Sequence, residues 1–287
     1  MQITTQDKNI ILSNVADFDL FQTFECGQCF RWDKISDNSY IGIAKNKVLK
    51  IEKKDNSFIL YNTTKKDFDN IWYHYFDFDT DYSAIKTALR NDSVMQTAIA
   101  YGEGIRILRQ DLWETVVSFI ISASNNIPRI KKIISAFCEH FGEELEYMGK
   151  IYHLFPTPEV TASLSLEDLS VIKAGFRDKY ILDAAVRFVS GDMDILPELD
   201  DSSAKKQLMT IKGVGNKVAD CVMLFGLYRY GSFPVDVWIK RIMEYCYFDK
   251  EQKISDISDF AYSKFGQYCG FAQQYLFFYA RENQIDT

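Results

Sequence analysis

The sequence predicts an α+β protein, with an antiparallel β-rich N-terminal domain (residues 1–98) followed by two mostly helical subdomains (99–203 and 204–287). Three observations predict it. Short alternating apolar runs with polar turns between them fill the stretch before Asn62. From Asp67 the apolar spacing changes to every three or four residues. The β segments precede the helical ones, without the strand–helix–strand alternation of a parallel sheet.

Each element follows from local pattern. "SYIGIA" (39–44) and "VLKIEKK" (48–54) flank the turn-like "KNK", and "SFILYN" follows "KDN", as in an antiparallel meander. "DFDNIWYHYF" and "DYSAIKTALR" have helical spacing, each opened by an aspartate able to cap. In "DLWETVVSFIISAS" the apolar residues cover most of a helix circumference, which predicts a central buried helix. "SNNIP" interrupts it. Asn126 can cap the next helix with Pro128 in the first turn, where a missing N–H costs little. That helix is expected to turn Ile130, Ile134, Phe137 and Phe141 inward. "LFPTPEV" reads as a connector, and no internal repeat or low-complexity segment is found.

Composition narrows the function. An apolar fraction of 47% with 25% charged residues is that of a chain with a packed core. The net charge of −7 does not favour nucleic acid as a partner, so any such contact must come from a local basic patch. No apolar run is long enough to span a membrane, so no membrane partner is expected. The N-terminal residues resemble neither a signal peptide nor a mitochondrial presequence. An intracellular location is expected, in the cytoplasm or nucleoid if the source is prokaryotic. Apart from Cys26 and Cys29 the cysteines are scattered singly, as in a reduced compartment. The three histidines lie far apart, and no metal site is expected. "ECGQCFRW" itself could be a redox pair, half a metal site, or neither. A redox thiol would start a helix, whereas "FRW" reads as strand.

The chemistry concentrates in "AKKQLMTIKGVGNKVADCVMLFGL", 204–227. A short helix ends near Thr210, Gly213 and Gly215 form a hairpin, and a helix restarts near Asn216. Such a hairpin aims backbone N–H groups at an anion. From Lys205 to Lys217 there are four lysines and no acids, which supplies the local basic patch. Glycine hairpins between helices are common, and this one alone could serve only to hold phosphate. The next segment, "FPVDVWIKRIMEY", places Asp236 at a helix N-cap, where the dipole orients its carboxylate and is expected to keep it ionised.

Together, "IKGVGNKVADC" and "FPVDVWI" resemble the helix-hairpin-helix, Gly/Pro-rich, Asp signature of base-excision DNA glycosylases. Lys217 stands where bifunctional members carry a nucleophilic lysine and Asp236 where members carry the catalytic aspartate. "GQCFRW", "GIRILRQDLWETVVSFIISASNNIPRI" and "GFAQQYLFF" are similar to further elements of the 8-oxoguanine DNA glycosylases, in the same order across nearly the whole chain. The resemblance implies an N-terminal domain of TATA-binding-protein-like topology and a bifunctional glycosylase/lyase acting on double-stranded DNA with oxidised purines. It implies no cofactor requirement, and a monomer is expected. Lys212 is a candidate to lower the pKa of the Lys217 amine. Gly27 would accept the N7–H of the base through its carbonyl, Gln273 would bind the Watson–Crick edge, and Cys221 and Phe277 would sandwich the ring. Asn125, Asn126, Arg129, Phe176, Arg177, Lys212, Gly213, Gly215 and Trp238 would contact DNA.

Three positions depart from the family pattern. Ser124 replaces an asparagine at the orphaned cytosine, Phe176 a tyrosine wedge, and Trp238 a phosphate-contacting histidine. A looser preference for cytosine opposite the lesion is therefore expected. Rival readings remain at this level. A pyrimidine glycosylase with an iron–sulfur cluster would need four clustered cysteines, where only Cys246 and Cys269 stand. An alkylpurine glycosylase normally lacks the lysine, and a non-catalytic DNA-binding module needs only the hairpin.

Overall fold

The computed structural model describes residues 1–285. Six antiparallel strands form the N-terminal sheet in the order β1-β2-β6-β5-β4-β3. They are β1 (Gln2–Gln6), β2 (Asn9–Ser13), β3 (Trp32–Ser36), β4 (Ser39–Ala44), β5 (Lys47–Lys54) and β6 (Ser57–Tyr61). The β4–β5 turn needs positive φ at two successive residues, and Lys45 (50°) and Asn46 (59°) supply it. Ile10, Leu12, Tyr40, Leu49, Ile51, Phe58 and Leu60 alternate onto one buried face. Against that face packs a helical segment through Trp72 and Phe76. Trp32 stacks on Phe24 at 4.1 Å and donates its indole N–H to Tyr75 Oη at 2.8 Å. Gly42 lies under that indole, and a Cβ there would come within 2.2 Å of Trp32.

The meander expected at 39–62 is present, and the sheet extends beyond it through β1, β2 and β3. "FRW" is strand only from Trp32; Phe30 and Arg31 are bent backbone. The helix expected to open at Asp67 starts at Lys65 and is capped by Thr64, whose hydroxyl accepts from Asp67 N–H, so Asp67 lies inside the first turn and is not the cap; a π-helical turn follows over Phe68–Trp72. The connector is more ordered than its prolines suggest. A hairpin (Glu144–Tyr147 with Lys150–His153) precedes it, and Thr157 caps the helix Pro158–Ala162. The proline sits in that helix's first turn, where it disrupts nothing.

The second apolar core holds the helices. Leu112–Ser122 runs through it, capped by Asp111 and buried at Trp113, Val116, Val117, Phe119, Ile120 and Ile121. Asn126 Oδ1 accepts from Arg129 N–H at 3.0 Å and caps Ile127–Phe141. On that helix Ile130, Ile134 and Phe137 are buried and Phe141 is only half-buried. The hairpin helices are Asp201–Leu208 and Asn216–Phe225. The last helix, Cys269–Glu282, returns against Ser93–Tyr101 and the 237–243 helix, with Tyr101 and Phe278 rings 5.6 Å apart. No described helix is long and apolar enough to cross a membrane.

The two cores are stitched by polar contacts. Asp77, fully buried, takes Arg109 at 2.6 Å and the Tyr82 hydroxyl at 2.8 Å. The Gln28 side chain donates to the Thr23 and Arg106 carbonyls (2.8 and 2.7 Å) and accepts from Leu108 N–H (2.8 Å). A buried amide satisfied on all sides holds the 26–29 turn rigidly.

Candidate active site

A cavity of about 800 Å³ lies where the 26–29 turn, the 122–128 loop, the glycine hairpin and the last helix converge. Lys217, Asp236, Gly27, Cys221, Gln273 and Phe277 all line it. Their sequence positions span 27 to 277, so only folding brings them together.

Lys217 sits in the first turn of the 216–225 helix, half-buried. Its Nζ lies 3.3 Å from Ser122 Oγ and 5.0 Å from the Phe119 ring centre. Ser122 donates its own proton to the Phe119 carbonyl at 2.8 Å, so its lone pair faces the lysine. Lys212 does not line the cavity. Its Nζ pairs with Asp183 at 3.1 Å, on the exposed side of the hairpin. Lys205 likewise pairs with Asp220 at 2.7 Å. The basic patch of the linear sequence is thus half neutralised by acids from elsewhere in the fold.

Asp236 caps the 237–243 helix, its Oδ1 accepting from Ile239 N–H at 2.9 Å. The cap was foreseen, but its electrostatic result was not. Burial raises the Asp236 pKa above the ordinary carboxylate value, and outweighs the opposing pull of the cap N–H and of Lys217. The dipole of a short helix does not offset that desolvation.

Gly27 adopts φ +79°, and a Cβ on it would come within 2.8 Å of Phe277. The glycine therefore lets the turn press against that aromatic ring. Cys26 and Cys29 are buried beside it, one in each core. Burial pushes the Cys26 thiol up to about 12 and raises the Cys29 thiol well above its ordinary value, the opposite of a redox pair. Cys221, one turn after Lys217, is also buried and pushed up to about 12. The Gln273 amide donates to the Pro234 carbonyl at 3.2 Å and accepts from Gln274 at 2.7 Å, which fixes its plane. Among the described residues no group of His, Cys, Asp or Glu is arranged to hold a metal ion.

The remaining expected contacts divide. Asn125, Asn126, Gly213, Gly215 and Trp238 line the same cavity. Gly213 has φ +85° and a Cβ on it would come within 2.5 Å of Tyr180, whereas a Cβ on Gly215 would meet open space. Arg129 and Phe176 lie exposed outside the lining. Arg177 does not present a charge to solvent. Its buried guanidinium donates to the carbonyls of Ala123, Ser124 and Ala174 and lies 4.3 Å over the Phe176 ring. It ties the 123–125 loop to Phe176. Sequence reasoning missed Ser122, Phe119 and Arg281 in the site. Arg281 was findable, because it follows Gln273 and Phe277 at the four-residue spacing of one helix face.

This fold and cavity have known relatives. Residues 117–265 match the family of HhH-GPD superfamily base excision DNA repair proteins, and the chain belongs to that superfamily. Residues 10–116 match the 8-oxoguanine DNA glycosylase N-terminal domain. A Clostridium acetobutylicum 8-oxoguanine glycosylase/lyase, solved with double-stranded DNA carrying cytosine opposite 8-oxoG, is 43% identical. It superposes with a TM-score of 0.96 over 99% of both chains. MBOgg1, solved with a low-affinity DNA ligand, is 47% identical with a TM-score of 0.96, again over 99% of both chains. The N-glycosylase/DNA lyase of Saccharomyces cerevisiae is 34% identical over 212 residues, 61% of this chain and 56% of its own length. This chain thus spans little more than half of that relative.

Proposed function

We propose that this protein is a bifunctional DNA glycosylase and abasic-site lyase of base excision repair, excising 8-oxoguanine from duplex DNA. One observation carries the reading: a single cavity holds Lys217 and Asp236 together with the Gly27, Cys221 and Phe277 surfaces. The 43% and 47% identities to glycosylase-type structures over whole chains support it.

The glycosidic bond is hidden in the stack, so the nucleotide is extruded into the cavity. In this reading Phe176, Arg129 and the 124–126 loop fill the gap and face the unpaired base. The Gly27 carbonyl accepts the N7–H that 8-oxoguanine has and guanine lacks, and repels the bare N7 of guanine. Gln273 meets the Watson–Crick edge, and Phe277 and Cys221 hold the ring faces. Gly213 and Gly215 bring backbone N–H groups to the phosphates, and Trp238 borders the same strand.

The neutral amine of Lys217 attacks C1′ as the bond from C1′ to the base breaks; the departing base takes up a proton. The Asp236 carboxylate faces the oxocarbenium-like charge that develops at the sugar. Opening of the sugar ring leaves a Schiff base on Lys217. Loss of a proton from C2′ then expels the 3′ phosphate, and water hydrolyses the Schiff base to return the amine. These steps use side chains of this chain and no cofactor. The partner is duplex DNA, the working unit a monomer, and the place of action the cell's DNA. The shorter Ser124 in place of an asparagine loosens the preference for cytosine opposite the lesion, read as a smaller ratio of excision rates opposite C and A.

Borohydride trapping tests the reading. Wild-type protein on an 8-oxoguanine duplex should form a covalent adduct, and Lys217→Gln should form none. A wild type that excises no 8-oxoguanine and traps no duplex would overturn it.

A further inference from the structure

Resting on the reading of the cavity as a base pocket, we infer that Arg281 is a specificity-determining residue that donates a hydrogen bond to the C8 oxygen of the extruded base. Arg281 lines the cavity. Its Nε and Nη2 bond Glu282 (3.2 and 2.8 Å), and Nη2 also donates to the Glu25 carbonyl two residues before Gly27. Nη1 is buried and has no protein partner. A buried guanidinium N–H without an acceptor is costly, and the cost is recovered when a ligand supplies one. Nη1 also lies 3.5 Å from the position of a Cβ on Gly27, so this free donor sits beside the peptide that meets N7.

The helix register says which atom of the base it meets. Gln273, Phe277 and Arg281 lie on one face of the 269–282 helix, each about 6 Å beyond the last. Gln273 takes the Watson–Crick edge and Phe277 a ring face, so the far end of the purine points toward Arg281. That end carries C8 and its oxygen. Gly27 reads N7 from the same side. The guanidinium is steadied there by the Phe277 ring, 5.5 Å from its carbon. Gly27 and Arg281 then read adjacent atoms, a donor and an acceptor, both of which appear only when guanine is oxidised at C8.

The test measures binding in the Lys217→Gln protein, which holds substrate without turnover. Duplexes carry 8-oxoguanine, 8-thioguanine or guanine. The thio base keeps N7–H but offers sulfur, a weak acceptor, at C8. Arg281→Met should weaken binding of the 8-oxoguanine duplex about tenfold or more, the scale of a charged hydrogen bond. Binding of the 8-thioguanine duplex should fall less than threefold. Equal losses on the two lesions would mean that Arg281 only holds the Glu25–Gly27 backbone, and would overturn the inference. So would unchanged binding of 8-oxoguanine. A Lys217→Gln protein that binds 8-oxoguanine no tighter than guanine would instead overturn the reading of the pocket, whatever Arg281 does.

Discussion

Replacing Asp236 with asparagine separates its two roles. Asparagine caps helices about as well as aspartate, so the 2.9 Å bond from Ile239 N–H survives. What disappears is the negative charge. If that charge stabilises the cationic sugar, single-turnover excision should fall about 10²–10³-fold, the scale of losing one preorganised electrostatic partner in a water-excluded site. Stability should move the other way. Burial holds the folded-state pKa above the ordinary 3.8, so the ionised carboxylate is the costly form in the folded protein. Well below 3.8 the group is protonated in both states, and the penalty vanishes. As pH rises through the folded-state pKa, wild type loses stability relative to the asparagine variant, and the gap then stays constant. Urea unfolding at pH 3 and pH 7.5, paired with excision assays, measures both effects. A variant less stable than wild type at pH 7.5, with the same gap at pH 3, would refute the claim that desolvation dominates at Asp236.

Further outcomes follow from the same geometry. Gly27→Ala places a Cβ 2.8 Å from Phe277 in a left-handed backbone. It should cost about 1–2 kcal/mol of stability and lower 8-oxoguanine excision more than cleavage of a preformed abasic site. Arg177→Met strips donors from the carbonyls of Ala123, Ser124 and Ala174. A loss on the order of 3 kcal/mol is expected, together with weaker binding of lesion duplex; a melting temperature equal to wild type would contradict this. Cys26 and Cys29, buried with raised pKa values, should resist iodoacetamide in native protein at pH 8 and react after unfolding, as mass spectrometry would read.

Much of the architecture was legible locally. Asp81, Asp111, Asn126 and Asp236 each cap the helix that they precede. A cap is a bond to a backbone N–H three residues on, so its signal lies within one turn of sequence. Alternation exposed β4, β5 and β6 for the same reason. β1 was less legible, because its residues are largely exposed on both faces and carry little period. The Lys217–Asp236 pair and the pocket set could be named only because their motifs resemble a known family; no spacing rule places Gly27 beside Phe277.

Local sequence set the element order, most helix starts, the glycine hairpin and the residue types available for lysine-based chemistry. Those depend on interactions a few residues apart. Only the tertiary structure decided the charges and partners of those residues. Lys205 and Lys212 lose their freedom to Asp220 and Asp183. Arg177 turns inward to hold a loop, Asp236 is desolvated despite its cap, and Arg281 meets a turn more than two hundred and fifty residues before it. Ion pairing and desolvation depend on what surrounds a group in space, and in this chain the surroundings arrive from distant segments.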